Sequence, residues 1–344
     1  MINAPKLEAS LMSTTTEALP TFFPSRHNMH HPDKDYSDGL PPFDHLESPQ
    51  RIDELLSGIQ AIREVALYKT DELALDAVYA LHDKDYVDFL LAISDTVTPG
   101  QEYIPPCFGQ NMSKAPLTFQ GGMYCREVGT PIGHGTIKAA LNSAHAAQLS
   151  AEHLLRTNQN TVALCRPPGH HAGKRRYGGY SYFNNAYIAA NVLNQQGKCA
   201  ILDVDYHIGD GSIEFAHKNA PYFSLHANPY TNYPYLDASE QLPTEHVTLV
   251  SFPSGIKGKE YLALLAQMCQ QISCLNADYL ILSLGFDTLG TDYIQDEYIY
   301  LESNDYCLIA ETVNGLNIPI LVLLEGGYDL PNLYDCGKAF AQGI

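Results

Sequence analysis

The sequence lacks a CxxC pair, a long apolar run and an excess of positive charge. Its eight cysteines are scattered along the chain, which predicts neither a zinc ribbon nor a disulfide framework and favours reduced thiols in a cytoplasm. No segment approaches the roughly eighteen uninterrupted apolar residues of a membrane-spanning helix, and the amino-terminal stretch lacks the apolar core of a signal peptide. We therefore expect a cytoplasmic protein with no membrane partner.

The charge balance is strongly negative. The 344 residues include 39 acidic and 20 basic side chains, for a formal net charge of −19 at pH 7, without a block of like charges. This balance argues against a nucleic-acid partner and is compatible with a cationic ligand. The length and a hydrophobic content of 45% are sufficient for one large α/β domain with a substantial core.

The second half of the chain alternates apolar runs with helical patterns, which is typical of a parallel sheet covered by helices. Predicted strands are 161–165, 199–204, 221–226, 246–250, 278–284 and 318–324, and predicted helices lie near 184–196, 258–274, 303–315 and 331–343. In the first half the patterns predict a short strand near Phe22-Phe23, helices over 50–67, 83–97 and 136–155, and a short strand over 78–81.

Residues 97–132 show no clear period and are rich in proline and glycine. A loop of this length inside a compact domain is usually functional or disordered. Because the segment also carries aromatic and apolar residues, we expect an ordered excursion that covers a site or meets another subunit.

Three polar side chains lie around the end of the predicted strand 199–204. Side chains two residues apart share a face of a strand, so Asp203, Asp205 and His207 fall on one side. Burying them without partners would cost several kcal/mol, and a divalent cation is the simplest compensation. Carboxylate oxygen with imidazole nitrogen suits zinc or another transition metal. The alternative is an Asx-rich turn with an exposed histidine.

Other predicted strands deliver polar residues to the same edge of the sheet, where ligands of such folds bind. His170 and His171 follow one strand, Asp287 a second and Tyr328 a third. Each alone has a structural explanation, as a surface loop, a helix cap or a turn with a packed aromatic. Together they have the content of a hydrolytic metal site.

Six sequence blocks, in this order, carry a family resemblance: RPPGHHAG, GGYSYFNNAYIAA, ILDVDYHIGDG, SLH, LSLGFDTLGTD and EGGYDL. They resemble the zinc-dependent histone deacetylase superfamily, closest to its bacterial acetylpolyamine amidohydrolase branch. The resemblance implies an arginase/deacetylase fold, a single α/β domain with an eight-stranded parallel sheet flanked by helices. It covers 24–344, with an insertion loop near 97–132, and leaves 1–23 as an amino-terminal segment that we expect to be ordered in part.

The resemblance also implies the chemistry of the site. It places one Zn²⁺ per chain, with Fe²⁺ or Co²⁺ as alternatives, on Asp205, His207 and Asp287. The catalytic residues that it implies are the tandem imidazoles of His170 and His171, of which the second is the general base and then the general acid, their carboxylate partners Asp203 and Asp210, and Tyr328 as donor to the developing oxyanion.

Further positions match those that line the substrate tunnel and a structural potassium site in the family. The tunnel residues are Gly179, Tyr180 and Tyr233. The potassium site comprises Ser224 and Leu225 with backbone oxygens of the stretch that holds Asp203, Asp205 and His207. The insertion narrows the entrance and builds a dimer interface in that branch, so a homodimer is expected.

The sequence departs from the family pattern at several positions. Ile208 stands where a second histidine is usual, and we expect little loss from it. Asp210 replaces the asparagine of the polyamine branch and is expected to make His171 more basic. The acidic residue that would bind a substrate ammonium is not defined by the pattern. Its candidates are Asp33, Asp35 and Asp38.

The resulting hypothesis is a zinc amidohydrolase that deacetylates a small cationic amine such as an acetylpolyamine. The nearest alternative is a lysine deacetylase acting on proteins or peptides. An arginase-type ureohydrolase would hold two manganese ions, and His170, His171 and Tyr328 fit it less well. A ligand-binding protein without catalysis is a fourth possibility.

Overall fold

The computed structural model describes residues 18–37, 41–106, 111–237, 239, 242, 245–295 and 298–344. The strands are β1 (Leu19–Pro24), β2 (Lys34–Asp35), β3 (Phe43–Asp44), β4 (Val65–Thr70), β5 (Glu102–Tyr103), β6 (Ile132–Gly133), β7 (Thr161–Ala163), β8 (Cys199–Asp203), β9 (Tyr222–His226), β10 (Val247–Ser251), β11 (Ile256–Lys257), β12 (Tyr279–Leu284), β13 (Ile299–Tyr300) and β14 (Ile320–Leu324). The α-helices are α1 (Gln50–Gln60), α2 (Leu75–Leu81), α3 (Lys84–Ser94), α4 (Leu117–Gln120), α5 (Thr136–Thr157), α6 (Asn185–Leu193), α7 (Asp210–Ile213), α8 (Gly258–Ser273), α9 (Asp305–Asn314) and α10 (Leu330–Gly343).

Eight of these strands form one parallel sheet in the order β10-β9-β8-β12-β14-β7-β1-β4. The central strands are continuous apolar runs because both faces of the sheet are covered. Helices α1, α8, α9 and α10 contribute to the core on one face, and α5 and α6 to that on the other. The predicted α/β fold class is confirmed.

Helix α5 shows why the alanine-rich pattern predicts a helix so reliably. Alanine has the highest helix propensity, and its small side chain lets a neighbouring helix approach closely. Ala144, Ala147 and Ala151 are fully buried, and α6 is the helix that packs alongside. The helix ends at Thr157, and the next residue, Asn158, has a left-handed φ of 59° and closes the last turn.

Two elements of the first half differ from their prediction. The helix expected to reach Leu67 ends at Gln60, and Val65–Thr70 forms β4 at the edge of the sheet. This edge strand is half-exposed and therefore lacks the apolar run that identifies the central strands. The strand predicted over 78–81 belongs to helix α2, because a four-residue apolar run does not distinguish the two structures.

The strand expected near Phe22-Phe23 is β1, which lies between β7 and β4 inside the sheet. The boundary expected between residues 23 and 24 therefore cuts a strand, and the sheet begins at Leu19. Residues 1–17 lie outside the described part.

The excursion over 97–132 contains ordered elements, since β5 near its start pairs with β6 at its end. Residues 107–110 of this excursion lie outside the described part. Among the described helices, none combines the length and apolar character needed to cross a membrane.

Candidate active site

Three buried side chains converge where β8 and β12 end. The turn after β8 carries Asp205 and His207, and the turn after the adjacent β12 carries Asp287. One potential ligand atom from each lies within 4.8 Å of the others. His207 Nδ1 is 3.3 Å from Asp205 Oδ1 and 3.3 Å from Asp287 Oδ2. The predicted metal ligands therefore form one cluster.

The surroundings of this cluster fit a cation. Asp287 Oδ2 is buried and, apart from the 3.3 Å contact with His207 Nδ1, has no hydrogen-bond partner among the described residues. Burial and the Asp205 carboxylate raise the pKa of Asp287 well above its usual range. Although burial disfavours the charged imidazole, the two carboxylates raise the pKa of His207 to about 9. A Cβ at Gly326 would lie 2.4 Å from Asp287 Oδ2, so glycine keeps this space open. Two carboxylates and one imidazole are a donor set for zinc or another transition metal.

The loop after β7 places the tandem histidines beside the cluster. His170 Nδ1 lies 3.1 Å from Asp203 Oδ2, and His171 Nδ1 lies 2.7 Å from Asp210 Oδ1. Because a carboxylate only accepts, each Nδ1 carries the proton that it donates. His170 Nε2 lies 3.7 Å from Asp205 Oδ1, and both rings border the cavity described below.

The two imidazoles have opposite electrostatic surroundings. Although burial disfavours the charged form, the Asp205 and Asp203 carboxylates raise the pKa of His170 well above 6.5. Burial and the neighbouring His170 lower the pKa of His171 to about 3. The hydrogen bond and the charge of Asp210 raise the pKa of His171, in the direction expected of a carboxylate at this position, but burial and His170 outweigh them. Two adjacent imidazoles whose surroundings shift their pKa values in opposite directions are suited to divided acid and base roles.

Glu325, directly after β14, supports the tandem-histidine loop. Its Oε2 accepts the backbone N–H groups of Gly169 at 2.8 Å and His170 at 3.1 Å, and its Oε1 accepts the Ser283 hydroxyl at 3.0 Å. Burial raises the pKa of Glu325 to about 7 despite the His170 charge. Sequence reasoning missed this residue, although an acid directly after a buried strand was a usable signal.

Tyr328 is held by a buried arginine that sequence reasoning also missed. The Arg51 guanidinium lies 4.6 Å from the centroid of the Tyr328 ring and donates to the backbone oxygens of Glu325, at 2.6 Å, and of Gly327. Burial raises the pKa of Tyr328 well above 10 in spite of this cation. The phenol is therefore a hydrogen-bond donor at neutral pH.

A cavity of about 620 Å³ opens above these residues and is bordered by His170, His171, His207 and Tyr328. The predicted tunnel residues Gly179, Tyr180 and Tyr233 line it as well. Gly179 has a φ of +52°, and a Cβ there would lie 2.3 Å from His171 Cδ2. Tyr233 meets the His171 ring edge to face at 4.8 Å, and Tyr180 meets Tyr328 in the same way at 5.7 Å. The aromatic walls therefore contact the proposed catalytic groups directly.

Two acidic residues, Asp35 and Glu127, line this cavity in the described structure. Asp35 Oδ2 accepts the Tyr180 hydroxyl at 2.6 Å, and Glu127 Oε1 accepts the Gly179 N–H at 2.8 Å. Of the other ammonium-binding candidates, Asp33 is exposed and is not part of the described lining, and Asp38 lies outside the described residues. Glu127 was missed because it lies in the aperiodic excursion.

The residues predicted for potassium lie on two paired strands and the turn that follows. Asp203 on β8 is in register with Ser224 on β9, and Leu225 follows it. Asp203, Asp205, His207, Ser224 and Leu225 are all buried. The Ser224 hydroxyl lies 2.8 Å from His226 Nδ1. The structure thus brings these residues together without identifying an ion.

Comparisons with known proteins agree with this architecture. The histone deacetylase domain family matches residues 45–344. The chain is 32% identical over 311 residues to an acetylpolyamine amidohydrolase of Mycoplana ramosa, covering 86% of this chain and 89% of the relative. It is 31% identical over 326 residues to acetylpolyamine amidohydrolase 2 of Pseudomonas aeruginosa, covering 90% and 93%.

The solved structure of an acetylpolyamine aminohydrolase from Burkholderia pseudomallei superimposes with a TM-score of 0.87 at 25% identity, over 95% of this chain and 99% of that one. The predicted arginase/deacetylase fold is thereby confirmed. The chain belongs to the histone deacetylase family.

Proposed function

We propose that the protein is a zinc-dependent amidohydrolase that removes the acetyl group from a small cationic amine such as an acetylpolyamine. One observation carries the proposal: the two histidines, Tyr328 and His207, which belongs to the cluster with Asp205 and Asp287, border a single cavity. Relatives that span most of the chain are named acetylpolyamine amidohydrolases. Water is added across the amide, the C–N bond breaks, and acetate and the free amine leave.

Asp205, His207 and Asp287 would hold one metal ion per chain, for which the donor set favours zinc and allows Fe²⁺ or Co²⁺. When bound, the ion supplies Lewis acidity to the acetyl carbonyl and lowers the pKa of the attacking water.

The chain's own residues handle the protons. His171 is neutral and holds its Nδ1 proton toward Asp210, so its Nε2 accepts a proton from the attacking water and returns it to the leaving nitrogen. His170 holds its Nδ1 proton toward Asp203, and its ring borders the cavity next to His171. The protonated phenol of Tyr328 donates to the carbonyl oxygen as negative charge develops there.

The walls of the cavity favour a slender cation. Asp35 and Glu127 provide negative charge, and Tyr180 and Tyr233 provide aromatic surface that can contact an alkyl chain or an ammonium. Arg126 also borders the cavity, but its guanidinium faces the Asp210 carboxylate at 3.2 Å. The net charge of −19 adds long-range attraction for a polyamine.

Three further expectations stay predictions. They are a structural potassium ion at the Asp203 and Ser224 cluster, a homodimer built through the 97–132 excursion, and a cytoplasmic location. Each has its own measurement, namely potassium-dependent thermal stability, the solution mass and cell fractionation.

The test is acetate release by zinc-loaded protein from N-acetylputrescine, acetylspermidine and an acetyl-lysine peptide. We expect kcat/KM for the small polyamines to exceed that for the peptide. Cleavage of the peptide alone would overturn the substrate and favour the lysine deacetylase alternative. Absence of turnover with all three would overturn the deacetylase assignment.

A further inference from the structure

The Asp210 carboxylate is shared between one histidine and two arginines. Its Oδ1 lies 2.7 Å from His171 Nδ1. Its Oδ2 lies 2.9 Å from Arg176 Nη2 and 3.2 Å from Arg126 Nη1. The Asp210 side chain is only 5% exposed, so these interactions lie in a region where charge is poorly screened.

The two arginines reach Asp210 from different segments, and each is anchored by a second contact. Arg176 lies between the tandem histidines and Gly179, and its Nη2 also pairs with Glu214 Oε1 at 3.0 Å. Arg126 belongs to the 97–132 excursion, and its backbone N–H donates to Tyr177 O at 2.9 Å. The two carboxylates, of Asp210 and Glu214, therefore balance the charge of the two guanidiniums.

The division of the two carboxylate oxygens has a geometric consequence. A carboxylate attached to one aliphatic carbon can rotate and offer either oxygen to a neighbour. With Oδ2 paired to two guanidiniums, the orientation is set and Oδ1 is left for His171 Nδ1. The imidazole then holds its Nδ1 proton toward Asp210, and its Nε2 stays available to the substrate cavity.

We propose that Arg126 and Arg176 are positioning residues for His171, which they act on by fixing the Asp210 carboxylate. This inference rests on the proposed function, in which His171 is the general base. It also connects the 97–132 excursion to catalysis, because Arg126 belongs to that segment and contacts the carboxylate that holds the general base. Arg126 Nη2 donates to Pro234 O at 3.3 Å as well, which links the same segment to the cavity wall that carries Tyr233. Arg126 and Arg176 are required because residue 210 is a carboxylate. An asparagine amide has a single acceptor oxygen and needs no cation.

The experiment is a double-mutant cycle on acetylamine turnover. Arg176→Met and Arg126→Met are each expected to lower kcat by about 10-fold to 100-fold, as loss of a group that orients a catalytic residue does. KM should change by less than about twofold in either direction, because the ground-state complex is unchanged. In an Asp210→Asn background, adding Arg176→Met or Arg126→Met is expected to lower kcat by less than a further factor of about three. The effects of residues that act through one partner are not additive.

Arg175→Met is the matched control. This neighbouring arginine pairs with Asp85 on the surface, with Nε 2.9 Å from Oδ2, and its replacement should leave turnover unchanged. Equal losses in kcat in the two residue-210 backgrounds would overturn the proposal. So would a rise in KM at constant kcat, since that result assigns the arginines to substrate binding. Arg176→Lys, which retains the charge, should recover part of the lost kcat.

A readout independent of turnover separates this inference from the proposed function. In ¹⁵N-histidine-labelled protein, the ring nitrogen signals of His171 are expected to shift in Arg176→Met and to stay in place in Arg175→Met. Unchanged signals in Arg176→Met would overturn the positioning role even if the wild type deacetylates polyamines. Shifted signals in a wild-type background that cleaves no acetylamine would retain the positioning role and reject the proposed function.

Discussion

The Asp292 carboxylate accepts the backbone N–H of Tyr328 at an N to Oδ2 distance of 2.6 Å. The same oxygen accepts the Asp329 N–H at 3.0 Å, and Oδ1 accepts the Ile294 N–H at 3.0 Å. Asp292 follows β12 and Tyr328 follows β14, so one side chain fixes the loop with the metal-cluster residue Asp287 relative to the loop with the phenol.

Asp292→Asn should lower kcat by about 10-fold to 100-fold, the usual loss when a group that orients an active-site residue is removed. The physical reason is that the Asp292 carboxylate has two acceptor oxygens, whereas an asparagine amide has one. In the variant, the NH₂ group of the amide would therefore face a backbone N–H that the carboxylate now accepts. Steady-state kinetics would measure the loss, with exposed Asp95→Asn on the end of α3 as control. A wild-type kcat in a folded Asp292→Asn variant contradicts the role.

Tyr328→Phe is expected to reduce kcat by about 10²-fold to 10³-fold with KM little changed, because the donated hydrogen bond strengthens only as charge develops on the carbonyl oxygen. Acetate release measures this effect. Tyr334→Phe, on the exposed face of α10, is the control. If KM rises and kcat is preserved, the phenol binds substrate and does not stabilise an oxyanion.

Metal removal should abolish turnover and lower the temperature of thermal unfolding. Without a cation, Asp205 and Asp287 place two carboxylates in a buried cluster with one imidazole, which is costly. Re-addition of Zn²⁺ should restore activity with one ion per chain by elemental analysis, and Asp287→Asn should bind less metal than Asp335→Asn on the surface. Two ions per chain would instead support the ureohydrolase alternative.

The acidic wall should matter for charged substrates only. Asp35→Asn and Glu127→Gln are each expected to raise KM for N-acetylputrescine by about threefold to tenfold, since one charge interaction of this kind contributes about 1 kcal/mol. The KM for neutral N-butylacetamide should change much less. Comparing the two substrates in one variant cancels any general loss of packing. An equal increase for both would show that these acids act through structure alone.

Stability should fall on the acid side because of buried neutral histidines. His82 Nε2 accepts the Asn184 N–H at 3.0 Å and Nδ1 lies 2.9 Å from Gly173 O, while burial lowers the pKa of His82 to about 4. The unfolded chain takes up this proton first as pH falls below 6.5, so folding stability is lost between about pH 6.5 and 4.

Urea unfolding of the metal-loaded protein at pH 7 and pH 5 measures this effect. His82→Gln should reduce the loss in unfolding free energy between these values by about 1–2 kcal/mol, the contribution of one such histidine. The exposed His31→Gln serves as control. An unchanged pH dependence in His82→Gln would mean that other groups carry the acid sensitivity.

Two residues of the metal cluster and the tandem histidines were predictable because their signals are local. Asp205 and His207 lie two residues apart after one apolar run, and His170 and His171 are adjacent in the chain. Asp287 follows a different strand, and the family resemblance joined it to the cluster. Glu325 was equally local and was overlooked. Arg51, Arg126 and Glu127 carry no such signal, since each reaches the site from a segment distant in sequence and an isolated charge in a loop or helix is usually solvated.

By itself, the sequence determined the parallel sheet and the edge that holds the site, because continuous apolar runs followed by polar residues can be satisfied in few other ways. Tertiary structure alone decided which charged groups meet which partners: Arg51 the Tyr328 ring, Asp292 the Tyr328 backbone, and Arg126 and Arg176 the Asp210 carboxylate. The physical reason is that electrostatic and hydrogen-bond energies depend on distance and burial. For residues far apart in the chain, these quantities exist only once the strands have paired and the loops have closed over the cavity.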